Sequence, residues 1–314
     1  MGCTNEMLTA LAVEATRAAS TTISESRARA IIKQAEDRLS TDGQMTSAPQ
    51  PMTVLDALVS LHMLVRSGAE TGGLSFQHQQ FQEWYASFEV ESLIRAAAGG
   101  DRESSTHLKE DVLDIPAWEE SILFACERVS RGDEARSRAV STAIVEAMAV
   151  DPLLAAEMIY RSTARVWDEI KDAIVRFVRK WHTAGKVDRA VHFMISTGRS
   201  EFAPEIWRLI SDADRNVHLS ALRAGRRFRP SVLGDKVEAR IAELPEEVRK
   251  HIISEIASQS GMEGIELATN LARADSSPKV QASVIEALQF RRADRFVAEI
   301  LHTASDEVWR LLAS

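Results

Sequence analysis

Residues 278–288 read PKVQASVIEAL, and this stretch decides the fold because its apolar residues recur at a spacing of four. Val280, Val284 and Leu288 would share one face of a helix, since one turn takes 3.6 residues. Pro278 stands where the first turn would be, and a missing N–H costs little there. The stretch therefore predicts an amphipathic helix that begins at a proline and buries one face.

The same spacing recurs along the second part of the chain. Each copy begins with a small or β-branched residue that is followed by apolar residues four and, in most copies, eight positions later: Ala135, Ala139 and Ala143; Val166, Ile170 and Ile174; Val217 and Ala221; Val248, Ile252 and Ile256; Val280, Val284 and Leu288; Val308 and Leu312. The intervals between successive first residues are 31, 51, 31, 32 and 28. A period near 30 with helical patterning predicts a solenoid of helical hairpins. The alternative is an all-α protein with chance amphipathicity.

The second helices of these hairpins are expected at 188–196, 203–210, 262–274 and 294–303. Pro204, Pro230 and Pro245 should lie at turns or in first helical turns. The chain ends at Ser314, shortly after Val308 begins another first helix, so we expect a longer natural polypeptide or a fragment.

The N-terminal hundred residues follow a different pattern. Residues 7–18 and 24–39 predict two short helices, and the Gly-, Ser- and Pro-containing residues 40–52 predict a loop. A third helix is expected over 53–67, ending near Ser67-Gly68. Residues 71–76, which begin Thr71-Gly72-Gly73, predict a turn that leads into a short strand, the only strand expected in the chain.

Four aromatic residues follow this strand at helical spacing: Phe81, Trp84, Tyr85 and Phe88. They would share one face of a helix, and a packed core stripe is favoured over an aromatic ligand box. The helix–strand–helix order over residues 53–97 is typical of a winged-helix-like unit. Residues 96–109, which contain Gly and Ser pairs, predict a domain boundary.

Residues 74–87 read LSFQHQQFQEWYAS and resemble the Phe-x-His-x-x-Phe-Gln-Glu-(aromatic)-x-Ala motif of NACHT-type STAND NTPases. The residues in register are Phe76, His78, Phe81, Gln82, Glu83, Trp84 and Ala86. The resemblance covers about residues 20–97. It implies a winged-helix segment downstream of a nucleotide-binding P-loop, followed by a repeat array, often HEAT-like, that senses a trigger. The fold class expected is thus all-α, a HEAT-like helical-hairpin solenoid over 111–314 with a small winged-helix-like domain over 1–100.

By this resemblance His78 is the expected nucleotide contact, because the motif's histidine contacts the β-phosphate of bound ADP in the family. An imidazole can donate an N–H to a phosphate, more strongly when it is charged. For this chain taken alone, a hydrogen bond from His78 to a neighbouring backbone carbonyl is the favoured alternative.

A phosphate contact of His78 is not favoured for the chain alone because the chain has no P-loop. Its Gly185-Lys186 pair is followed by Val187, where a Ser or Thr must bind Mg²⁺, and Lys180 stands where the first P-loop glycine belongs. No enzymatic activity and no cofactor are therefore expected, and ATP or ADP would bind only if an upstream NTPase core were joined to the chain.

Composition narrows the class of partner. The formal net charge of −8 gives no overall attraction to DNA or to anionic membranes. Cys3 and Cys126 are too few for a disulfide framework or a cysteine zinc site, which fits a reducing cytosol. No run approaches 18 apolar residues, and no histidine pair has the i, i+4 spacing of metal ligands. We expect a cytoplasmic protein with neither membrane nor metal as partner.

A local basic cluster supports the alternative of nucleic-acid binding. It consists of Arg223, Arg226, Arg227 and Arg229, and a later repeat carries Arg291, Arg292 and Arg295. Stacked repeats could bring both groups onto one phosphate-binding ridge, although arginines near helix ends are often only solvated. Helical-repeat DNA glycosylases are the specific alternative, and Trp167, Asp168 and Trp181 supply residue types that they use. The favoured function is a non-catalytic recognition or scaffold module that binds a protein partner, the sensor arm of a STAND-type signalling or defence NTPase.

Overall fold

The fold is all-α with helical repeats and one small sheet. The computed structural model describes residues 2–67 and 72–313. The chain forms two compact units, Met1–Glu169 and Ile170–Ser314. The predicted division between residues 100 and 111 falls inside unit 1, where the helices on either side of it pack together, and it stays a prediction.

Unit 1 is built mainly from helices. They are α1 Gly2–Arg17, α2 Glu25–Thr41, α3 Pro51–Ser60, α4 Gln79–Ala98, α5 Arg102–His107, α6 Glu119–Ser130, α7 Glu134–Val150 and α8 Pro152–Arg161. A π-helical turn at Leu108–Leu113 and a 3-10 turn at Pro116–Trp118 connect α5 to α6. α9, Ala164–Trp181, runs across the boundary between the units.

A three-stranded antiparallel sheet lies in unit 1, in the order β1–β3–β2. Its strands are β1 Ile23–Ser24, β2 Leu64–Arg66 and β3 Gly73–Phe76. The prediction of a single strand was wrong. β1 has only two residues, too few to show the period-two pattern of a strand, and the apolar residues of β2 continue the helical spacing of α3.

The end of α3 explains this misassignment. The backbone N–H of Met63 donates to the carbonyl oxygen of Leu58 at 3.0 Å, and His62 has a left-handed φ of 58°. This is the geometry of a Schellman cap, which glycine usually provides. Because a histidine takes the position, the sequence gives no stop signal, and the helix predicted to reach Ser67 ends at Ser60. Gly68 and Thr71, named in the prediction, lie outside the described residues.

Unit 2 contains the four predicted repeat copies that begin at Val217, Val248, Val280 and Val308. After α9 its helices are α10 Arg189–Thr197, α11 Ala203–Ile210, α12 Arg215–Leu222, α13 Val237–Ala242, α14 Glu246–Gln259, α15 Met262–Ala274, α16 Pro278–Phe290, α17 Asp294–Leu301 and α18 Asp306–Leu312. α12, α14, α16 and α18 pack in succession to form one layer, and α15 packs on α17 in a second layer. The predicted helical-repeat fold is confirmed.

Most of the repeated apolar positions are buried. Val280, Val284 and Leu288 have no exposed surface, and burying each contributes roughly 1.5–3 kcal/mol. The buried positions of the other copies are Ala139, Ala143, Val166, Ile170, Ile174, Ala221, Ile252, Ile256 and Val308. Val217 and Val248 are half-buried and Ala135 is exposed, so the first position of a copy is the most variable.

Local chemistry fixes where α16 begins. The Ser277 hydroxyl accepts a hydrogen bond from the Val280 N–H at 3.4 Å, and Pro278 occupies the first turn. Before this cap, the Asp275 carboxylate accepts two hydrogen bonds from the Arg249 guanidinium, at 2.7 and 3.0 Å. This largely buried ion pair ties α14 to the turn that precedes α16.

Candidate functional site

The motif residues lie where β3 leads into α4. His78 is the N-cap residue of α4, with an extended backbone (φ −134°, ψ 139°) and no capping hydrogen bond from its side chain. The N-terminus of this 20-residue helix carries a partial positive charge, which favours anions. His78 therefore lies at a strand-to-helix junction, as the strand and helix patterns of the sequence predict.

The imidazole of His78 is accessible. It is exposed, and its nearest aromatic neighbour is Phe81, with ring centroids 5.5 Å apart. Within residues 2–67 and 72–313 it forms no hydrogen bond, so the carbonyl contact favoured for the isolated chain does not form. The imidazole of His78 is therefore available to bind a ligand group.

Gln82 of the motif has a structural position that the sequence did not reveal. It is 8% exposed, and its Nε2 donates to Thr16 Oγ1 at 3.3 Å and to the Ser20 carbonyl oxygen at 3.4 Å. These contacts join α4 to the end of α1 and to the turn after it. They hold the helix that presents His78.

The predicted aromatic core stripe on α4 was wrong in its placement. Phe81 and Trp84 are 36% and 40% exposed. The buried face of α4 carries smaller residues: Gln82, Ala86, Ser87, Val90, Leu93 and Ile94. Helical spacing shows that the aromatic residues share a face, but not which face the neighbouring helices cover.

Part of the aromatic face forms a cluster with α6. The Trp84 ring meets Phe124 edge-on with centroids 5.6 Å apart, and the Arg128 guanidinium lies 5.0 Å from the Trp84 ring and 4.2 Å from the Phe88 ring. Arg128 Nε also donates to Glu91 Oε2 at 2.6 Å. The cluster thus joins α4 to α6, with Arg128 paired to both aromatic rings and to Glu91, and Trp84 is its exposed member.

The basic cluster lies in the segment between α12 and the 3-10 turn Pro230–Leu233. Phe228, which interrupts the arginines, is buried and its N–H donates to the Gln259 carbonyl oxygen at 3.0 Å. Arg223 forms a bidentate ion pair with Glu255, in which Arg223 Nε donates to Glu255 Oε2 at 2.9 Å and Arg223 Nη2 donates to Glu255 Oε1. The positive charge of Arg223 is therefore largely neutralised by Glu255 and offers little attraction to a phosphate.

The four arginines of the cluster differ in their surroundings. Arg226 and Arg227 are exposed, whereas Arg229 is half-buried. Arg226 and Arg229 both interact with other residues of the chain. The Arg227 guanidinium lies beside Gly261, in the loop after α14. Arg227 is therefore the member best placed to meet a ligand.

The second basic group reaches the same loop. Arg291 Nη1 donates to the carbonyl oxygens of Ala257, Ser258 and Ser260 at 3.2, 2.6 and 3.0 Å, which satisfies the end of α14. The repeats thus bring one arginine of each group, Arg227 and Arg291, to the same loop, but Arg291 is occupied by main-chain oxygens.

Other candidate chemistry finds little support in the geometry. Gly185-Lys186 lies between helices α9 and α10, not between a strand and a helix as a P-loop does. Trp167 is buried, so it does not offer an aromatic surface to a base. Among the described residues, no group of three or more His, Cys, Asp or Glu side chains is arranged to hold a metal ion. None of the described helices has both the length and the apolar character needed to cross a bilayer.

Comparisons with protein-family models, with curated proteins and with solved structures give no match to this chain. The STAND resemblance therefore depends on the motif residues Phe76–Ala86 and on the elements that carry them.

Proposed function

We propose that this chain is a non-catalytic recognition module, the sensor or scaffold arm of a STAND-type NTPase, and that it binds a protein partner. The observation that carries the proposal is the exposed imidazole of His78, which has no hydrogen-bond partner among the described residues, at the start of α4 and within the motif. The repeats that follow supply extended surface without built-in chemistry.

The arrangement of unit 1 supports the winged-helix part of this proposal. A β2–β3 hairpin follows α2 and α3, and β1 completes the sheet beside β3. A helical bundle combined with an antiparallel hairpin is what a winged-helix unit requires. His78 then lies just after the hairpin, where an upstream nucleotide-binding core could present a phosphate.

The nucleotide role depends on that upstream core. With ADP held by a P-loop from elsewhere in the polypeptide, the His78 imidazole and the N-terminus of α4 would both favour a phosphate oxygen. The chain by itself should neither bind ADP nor hydrolyse ATP, because it supplies no loop of N–H groups and no P-loop lysine. Calorimetry with ADP and Mg²⁺ checks this, and measurable binding by the chain alone would contradict it.

The partner is proposed to contact exposed apolar residues of unit 2. Phe290 is 88% exposed at the end of α16, and Met262 is 61% exposed at the start of α15. A residue at the centre of an interface that acts as a hot spot contributes about 2 kcal/mol or more, and the proposal gives Phe290 this role. Phe290→Ser should therefore lower partner capture by a factor of about thirty without changing the unfolding midpoint.

The experiment is affinity capture from cells of the source organism with quantitative mass spectrometry, after nuclease treatment. The wild-type chain is compared with Phe290→Ser, with Met262→Ser and with the control Leu61→Ser, which removes an exposed apolar residue from unit 1. A protein retained by wild type and by Leu61→Ser but lost from the other two variants supports the proposal. Equal retention by all four chains refutes it.

Nucleic-acid binding is the second candidate, and the meeting of Arg227 and Arg291 at the loop after α14 is the observation that favours it. It predicts binding to labelled duplex DNA or single-stranded RNA that weakens with salt and with Arg227→Glu. Lys33→Glu, an equal change of charge in unit 1, is the matched control. Absence of binding at low salt eliminates this candidate.

A further inference from the structure

Two histidine rings meet where α12 packs on α14. His218 on α12 is 2% exposed, and His251 on α14 is half-buried. Their ring centroids are 5.4 Å apart, with an angle of 33° between the ring planes. Both helices belong to the layer formed by α12, α14, α16 and α18. A change in the charge of either ring would therefore act inside the repeat array.

The hydrogen bonds of the pair fit two neutral rings. His218 Nδ1 lies 3.2 Å from the Asp212 carbonyl oxygen, and a carbonyl only accepts, so Nδ1 carries the proton. His218 Nε2 and His251 Nδ1 are both buried and have no hydrogen-bond partner in the described parts of the chain. A proton added to His218 would create a buried N–H that lacks an acceptor.

The charges around the pair oppose protonation. Burial lowers the pKa of His251, and Arg215 on α12, His218 and Lys250 lower it further, while Glu247 acts in the opposite direction. The pKa of Glu247 is lowered, first by its hydrogen bond with Lys250 and also by the charge of Lys279 on α16.

The flanking helices add little to this balance. On α11, Glu205 is paired with Arg179 and Arg208 is exposed. The charged residues of α15, which are exposed, are Glu263, Glu266 and Arg273. Positive charges thus dominate near the rings, and this also disfavours a metal ion between the two free nitrogens.

We propose that His218 and His251 form an acid-sensitive contact that keeps α12 packed on α14 at neutral pH and releases it when the pair is protonated. The recognition surface of unit 2 would then depend on pH. This regulation goes beyond the proposed function and does not require it, since the contact lies within the array whatever the array binds.

The direction of the pH effect follows from linkage. The unfolded chain has an ordinary histidine pKa, about 6.5, and the pKa of folded His251 is lower. The unfolded state therefore binds more protons between these values. The stabilisation is complete above the unfolded pKa and is lost as the pH falls from about 6.5 through the folded pKa.

Hydrogen exchange of the full-length chain tests the proposal, at about pH 7.5 and about pH 5.5 with correction for the intrinsic exchange rate. Protection of peptides from α12 and α14 should fall at the lower pH by up to about tenfold, because about pH 5.5 lies one unit below the ordinary histidine pKa. Protection of α4 peptides should not fall at the lower pH. An unchanged protection of α12 and α14 would overturn the proposal.

Variants then assign the effect to the two rings. His251→Phe keeps a ring that does not titrate, and His218→Asn keeps an N–H donor for the Asp212 carbonyl oxygen. The double variant should lose the pH dependence, whereas the control His302→Gln, at an exposed histidine, should retain it. A pH dependence that persists in the double variant contradicts the assignment.

A measurement on the wild-type chain avoids any failure of the variants to fold. NMR titration of the histidine ring protons should give His251 a midpoint below the ordinary value near 6.5. An ordinary midpoint for His251 would overturn the proposal as well.

Discussion

Glu36 gives the sharpest test of how unit 1 is stabilised. Its side chain in α2 has no exposed surface, and neither carboxyl oxygen has a hydrogen-bond partner in the described residues. Burial raises the pKa of this carboxyl, with Asp37 acting in the same direction and Lys33 against it. Leaving a buried polar group unsatisfied costs about 1–3 kcal/mol, more if the group is charged.

Replacement by methionine keeps the length of the side chain and removes both oxygens. Glu36→Met should therefore raise the unfolding free energy of unit 1 by about 1–3 kcal/mol at pH near 7.5. Because the folded carboxyl holds its proton more tightly than the unfolded one, the wild-type stability falls as the pH rises from about 4.3 through the folded pKa. The gain should thus be smaller near pH 4.

The assay is urea unfolding followed by hydrogen exchange of peptides from unit 1, so that unit 2 does not contribute to the signal. Glu134→Gln on α7 is the control, because Glu134 is exposed, is not among the charges that shift the pKa of Glu36, and its ion pair with Arg138 should be worth less than about 1 kcal/mol. A loss of stability in Glu36→Met, or a gain that is the same at both pH values, would refute the reasoning.

Three further predictions concern other buried groups. Arg249→Met should lower the unfolding free energy of unit 2 by about 3–5 kcal/mol in urea titrations, because it leaves the buried Asp275 carboxylate without a partner. Adding Asp275→Leu should recover part of the lost stability, and no recovery would count against the pairing. Ser277→Ala should cost about 1 kcal/mol in the same assay by removing the cap of α16, and an unchanged midpoint would contradict the cap. Burial raises the pKa of the Cys126 thiol to about 12, so iodoacetamide at pH near 8 should label Cys3 alone; mass spectrometry detecting a native Cys126 adduct would argue otherwise.

Local patterns in the sequence were sufficient to predict the repeat array. α15 spans Met262–Ala274, as predicted, because the apolar stripe of this helix lies within its own sequence. β1 and the end of α3 were missed because they depend on partners and on a left-handed histidine, not on a local pattern. Short strands are defined by what they pair with.

The candidate sites show the same limit. The position of His78 at the start of α4 could be predicted, since the motif and the helical spacing are contiguous in sequence. The pairing of Arg223 with Glu255, 32 residues away, could not, because a run of arginines contains no information about the carboxylates that fold against it. Nor could the exposure of Trp84, since the helices that cover α4 come from distant segments.

The length of α4 has a mechanical consequence. Its 20 residues extend about 30 Å, from the histidine junction at one end to Ala98 at the other, and Arg128 clamps its middle to α6. If this helix pivots at the Arg128 contact near its middle, a tilt of about 5° displaces each end by on the order of 1 Å. A movement of His78 would thus also move the C-terminal end of α4 and the helices that pack on it, with the Arg128 contact as the pivot.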